Sequence, residues 1–79
     1  LYRATIVRLF EVRGGARLSK KDFDGAIADF SEAIKEDPKR ATSHLKRGDA
    51  YYAKNNLEHA LSDYSEAIRI NPKDVDAYT

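Results

Sequence analysis

The 79-residue chain contains no cysteine, no methionine and no tryptophan, and only two prolines and four glycines. Without cysteine it can form neither a disulfide nor a thiolate metal site. So little proline and glycine suits helices joined by short turns. No apolar run approaches the roughly 18 residues that a membrane span requires. One sign of charge does not dominate either: fourteen Lys and Arg face thirteen Asp and Glu, for a net charge of +1. A nucleic-acid binder usually shows a clear basic stripe, so a polyanionic partner is not expected. The length leaves room for one domain. Because the chain starts at Leu1 and lacks methionine, it is expected to be a piece of a longer protein or a processed product, with any targeting signal lost.

What is present is a repeat with a 34-residue offset. Arg13 and Arg47, Gly14 and Gly48, Ala16 and Ala50, Ala26 and Ala60, Asp29 and Asp63, and Pro38 and Pro72 all stand in that register, as do the strings Ser31-Glu32-Ala33-Ile34 and Ser65-Glu66-Ala67-Ile68. Roughly a dozen of the aligned positions are identical, far more than unrelated helical segments share at one fixed offset. A period of this length means stacked units, which present surfaces more often than they perform chemistry.

The repeated residues are those that packing requires. Gly14 and Gly48, and the alanines at 16 and 50, 26 and 60, 33 and 67, are small side chains expected at helix crossings, where axes approach to about 8–10 Å. Larger residues fill the rest: Phe10, Leu18, Phe23, Ile27, Phe30 and Ile34 in the first unit, and His44, Tyr52, Leu57, Leu61, Tyr64 and Ile68 in the second. This alternation of small and large residues resembles the tetratricopeptide repeat. The second unit carries the resemblance best, through Gly48, Ala50, Tyr51, Leu57, Ala60, Tyr64, Ala67 and Pro72; His44 and Arg47 depart from the family's usual Trp or Tyr and Leu. The first unit fits less closely, with Arg17 in a Tyr slot and Gly15 weakening its first helix.

The resemblance implies an all-α, right-handed superhelical stack of antiparallel helix-turn-helix pairs. Repeat one covers 7–40 and repeat two 41–74, and 75–79 opens a third unit or capping helix, with Tyr78 in the slot held by Phe10 and His44. Local signals place the helices. Apolar spacing starts the first near Tyr2, and it should end near Ser19-Lys20. Asp22 caps the second, which stops near Glu36 because the residue before Pro38 disfavours helical backbone. The third should span Ala41 to Lys54, and Asn56 caps a fourth that ends near Ile70-Asn71, ahead of Pro72. From Val75 onward the chain should turn helical again.

In the resemblance, the first helix of each pair lines a concave groove. The outward stripe of those helices holds Arg8, Glu11, Val12, Gly15, Leu18 and Ser19 in one unit, and Thr42, Leu45, Lys46, Asp49, Tyr52 and Ala53 in the other. We take Arg8, Glu11, Val12, Gly15, Thr42, Leu45, Lys46, Asp49 and Tyr52 as candidate peptide-binding residues, since exposed tyrosine beside charge is a common interface composition. The alternative is that Leu45 and Tyr52 merely cover neighbouring helices. Some family members grip a peptide's terminal carboxylate with a Lys and Asn clamp. Here the corresponding slots hold Glu11, Gly15, Lys46 and Asp76, and the two acids would repel a carboxylate at short range.

Other constellations carry less. His44 sits in a packing slot and His59 in the first turn of a helix, where it should be solvated. Asp22-Phe23-Asp24-Gly25 resembles the start of a calcium loop, yet no glutamate arrives at the twelfth position, and helix capping explains the acids better. No nucleophile, base, metal cluster or phosphate loop is assembled, so neither enzyme activity nor a cofactor is expected. The expected function is a protein-interaction scaffold that holds a peptide or helical segment of a partner in the groove. The alternative is self-association through exposed end faces, with two-fold dimers favoured over filaments.

Overall fold

The computed structural model describes residues 2–72. Among them are four helices and no strand: α1 Tyr2–Ser19, α2 Phe23–Glu36, α3 Ala41–Ala53 and α4 Leu57–Ile70. These bounds agree with the sequence reading, except that α3 stops at Ala53 and Lys54 is its C-cap. The helix expected from Val75, and the slot assigned to Tyr78, lie outside the described residues.

Each helix end has a local cause. At both turns within a pair the chain passes through left-handed backbone, at Lys21 (φ 66°) and Asn55 (φ 65°). Lys21 N–H donates to Leu18 O at 3.0 Å and Asp22 N–H to Arg17 O at 2.8 Å; Asn55 and Asn56 repeat this toward Tyr52 and Tyr51, both at 2.9 Å. Such paired bonds satisfy the last carbonyls of a helix. The next helix is then capped at once. The Asp22 carboxylate accepts from Gly25 N–H at 3.1 Å, and Asn56 Oδ1 from His59 N–H at 3.5 Å. Asp37 and Asn71, just before the prolines, lie at φ −143° and −135°, outside the helical region.

The helices pack in chain order. α1 lies on α2, α3 on α4, and α2 on α3, while α1 and α3 touch only lightly. Gly14 and Gly48 sit at the two within-pair crossings, as expected. A Cβ at Gly14 would stand 2.7 Å from the Phe30 ring, and one at Gly48 would stand 2.8 Å from the Tyr64 ring. Between the pairs, Ala26, Phe30 and Ala50 form a fully buried cluster, with Leu18 and Ile27 packed on it.

Some packing expectations are corrected. Ala16 is exposed although its counterpart Ala50 is buried, and Tyr52, Leu57 and Leu61 are exposed although Leu18, Phe23 and Ile27 are partly covered. The cause is position. Ala50 is covered by Ala26 and Phe30 of α2, whereas among the described residues no helix precedes α1 to cover Ala16; Leu18 and Ile27 pack on the cluster that Ala50 completes, and among the described residues no helix stands against the corresponding face of α4.

Candidate partner-binding surface

The surface rests on a polar framework that repeats with the helices. Arg13 donates to Asp29 through Nε at 3.0 Å and Nη2 at 2.8 Å. Arg47 grips Asp63 in the same two-pronged way, with both bonds at 2.8 Å. Both aspartates are buried, and a buried carboxylate must be paired. The hydrogen bond to the aspartate raises the pKa of each guanidinium. Arg17 Nη1 approaches Asp29 to 3.4 Å, whereas at Asp63 the neighbour is His44 Nδ1 at 3.7 Å. His44 itself is buried, as its slot implied, and its Nε2 lies 3.0 Å from Pro38 O. All four charged residues stand out in the sequence as repeated, but the repeat alone does not pair them. The signal was available: both pairs are separated by 16 residues.

A second set of contacts ties the units together. Arg40 Nε donates to Glu11 Oε2 at 2.7 Å and the Ser43 hydroxyl to the same oxygen at 2.5 Å. Burial opposes the charge of Glu11, but the bonds from Arg40 and Ser43 and the nearby positive charge outweigh it, so its pKa falls below the ordinary value. Arg47 Nη1 donates to Ser31 Oγ at 3.1 Å, and Lys54 Nζ to Asp24 Oδ1 at 2.5 Å.

Against this framework the candidate groove residues divide. Arg8, Val12 and Lys46 are exposed, and Val12 is 70 % so. Gly15 faces open space, and Thr42 and Leu45 are half-buried. Glu11 differs from its expected outward place: it is taken up by Arg40 and Ser43, and only 11 % of its side chain is exposed. Asp49 is exposed but accepts from the Tyr64 hydroxyl at 2.6 Å. Burial, with that bond to Asp49 second, raises the Tyr64 pKa, so the phenol stays a donor. Tyr52, 64 % exposed, shares a shallow groove with Leu57, Ala60, Leu61 and Tyr64 on the far side of the second pair.

A larger groove of about 510 Å³ runs along α1, between Ile6, Leu9, Phe10, Val12, Arg13 and Ala16. The two acids of the calcium-like string are accounted for, since Asp22 caps α2 and Asp24 pairs with Lys54. His59 is exposed as expected, and it also packs on Tyr51 with ring centroids 4.8 Å apart.

No curated protein matches the chain. Residues 12–75 match the profile of the tetratricopeptide repeat. That span takes in α2, α3, α4 and the C-terminal part of α1, the helices whose glycine crossings, caps and 34-residue register are described above. The chain is therefore a member of the tetratricopeptide repeat family.

Proposed function

We propose that the chain holds a segment of a partner protein along the outer stripe shared by α1 and α3. Tetratricopeptide repeats generally mediate protein–protein interaction, and they are a non-catalytic, scaffold type of fold. The observation that carries the reading is Val12, a large apolar side chain left open beside the exposed Arg8, on the same stripe as its counterpart Lys46. Glu11 is neutralised by Arg40 and therefore opposes an incoming acid less than its charge alone implies. The stripe fits a segment that offers an apolar side chain to Val12 and Leu45 and acidic groups to Arg8 and Lys46.

Selection from a displayed library of short random peptides tests this. Enriched peptides should combine an apolar residue with acids. Binding should weaken in Val12→Asp and Lys46→Glu, each checked for unchanged helicity. Peptides that bind both variants as tightly as the parent chain would place recognition elsewhere.

A further inference from the structure

Two lines of contact hold the second helix pair against the first, and they lie at opposite ends of α3. Toward its C-terminal end α3 is fastened to α2. Lys54 Nζ donates to Asp24 Oδ1 at 2.5 Å, Arg47 Nη1 donates to Ser31 Oγ at 3.1 Å, and Ala50 packs with Ala26 and Phe30. At its N-terminal end α3 is fastened to α1 instead. Arg40, its N-cap, and Ser43, in its first turn, both donate to one oxygen of Glu11. Otherwise α1 and α3 touch only lightly.

The Glu11 set differs in kind from the pairs that brace each unit. Arg13 with Asp29 and Arg47 with Asp63 recur at the 34-residue offset. At that same offset Glu11, Arg40 and Ser43 are replaced by Leu45, Ile6 and Leu9. Building a helix pair does not require the Glu11 set, and what it adds is specific to the seam between α1 and α3. Those two helices are the walls of the stripe assigned above to a partner segment. Charge-assisted bonds to a carboxylate are short and directional, so they fix a spacing that light apolar contact leaves loose.

We propose that Glu11 and Arg40 are positioning residues for partner binding: with Ser43 they draw the N-terminal end of α3 onto α1 and set the width of the groove, and without them α3 swings about the Ala50 cluster. A hinge needs a fixed line and a free end, and the two fastenings of α3 supply both. The swing is a property of the chain alone, whereas its consequence for binding rests on the stripe proposed above. A groove that keeps its binding width for only a fraction of the time binds with an affinity reduced by that fraction.

The chain has no cysteine, so spin labels can be introduced in chosen pairs. Ala4→Cys on α1 with Lys39→Cys, beside the N-cap of α3, reports the end that is released. Ser19→Cys with Ala53→Cys reports the far end, near the pivot; all four sites are exposed. Pulsed electron resonance on the chain without peptide should give one narrow distance distribution for each pair. Glu11→Ala and Arg40→Ala should each lengthen and broaden the first distribution and leave the second unchanged, with helicity by circular dichroism retained. The double variant should go no further than either single one, because both remove the same link. Affinity for a peptide selected from the displayed library should fall roughly two- to tenfold in each single variant.

The Arg40 side chain is 41 % exposed, so Arg40→Ala decides the matter if Glu11→Ala does not fold. A first distribution that stays narrow in Arg40→Ala overturns the proposal. Equal broadening of both pairs overturns it too, since that would be general loosening. Distances that shift while peptide affinity holds would leave the swing standing and overturn the stripe as the place where the partner binds.

Discussion

Arg47 holds two residues at once: Asp63 on α4 through a pair of 2.8 Å bonds, and Ser31 on α2 at 3.1 Å. One guanidinium thus joins the two helices of its own pair and the helix of the pair before. Leucine is the usual family residue at this slot. Arg47→Leu should nonetheless destabilise by about 3 kcal/mol, because it leaves Asp63 buried and charged. Arg13→Leu should cost less, since Arg17 stands 3.4 Å from Asp29 and takes over part of the pairing. Urea denaturation of both variants checks the order; equal losses would mean that Arg17 gives no backup.

The glycines separate crossing from open surface. Gly15→Ala meets nothing within 4 Å and should stabilise by up to about 1 kcal/mol through helix propensity. Gly48→Leu should cost about 1–3 kcal/mol by overpacking against Tyr64. Gly14→Ala should be worse than Gly48→Ala, because the Phe30 ring it meets is fully buried, whereas the Tyr64 ring is partly exposed and can move. Thermal melts of the four variants decide whether the faces are assigned correctly.

Lys21 and Asn55 occupy the same left-handed turn position one repeat apart, at φ 66° and 65°. Asparagine tolerates this region and lysine less so. Lys21→Asn should raise stability by up to about 1 kcal/mol by relieving part of the left-handed backbone cost, and Asn55→Lys should lower it by a similar amount. Chemical denaturation of the reciprocal pair tests the symmetry.

Glu11 links stability to pH. Its pKa in the folded chain lies below the ordinary 4.5. The unfolded chain therefore takes up this proton first as pH falls. The contribution is fully present above the ordinary value and is lost as pH drops through the lowered folded value. Stability measured between about pH 6 and pH 3 should fall, and Glu11→Gln should flatten part of that slope. Glu66, whose pKa is lowered chiefly by its bond from Arg69, leaves a residual slope in the same direction.

How much of this was legible varies with the kind of interaction. The helix bounds were readable because their causes are local: Asp22 and Asn56 are caps, and Pro38 and Pro72 are stops. Gly14 and Gly48 were readable as crossings because they repeat. Glu11 was not, since its burial depends on Arg40 and Ser43, residues 29 and 32 positions away whose repeat counterparts are of other types. Tyr52 can be read from the repeat either as packing or as part of the outward stripe, because its counterpart Leu18 packs on a cluster that Ala50 of α3 completes, whereas Tyr52 is 64 % exposed with no further helix pair beside it among the described residues.

Each helix packs on its neighbours in sequence, most closely within a pair, and α1 barely meets α3. The chain therefore closes only short loops as it folds, and no segment waits for a distant partner. Contacts so near in sequence favour folding on a timescale of roughly microseconds to milliseconds. Either hairpin can form first and serve as a template for the other. Arg47 waits for that second step: its bond to Ser31 can form only after the hairpins meet, so removing the Ser31 hydroxyl should speed separation of the pairs more than it slows their formation.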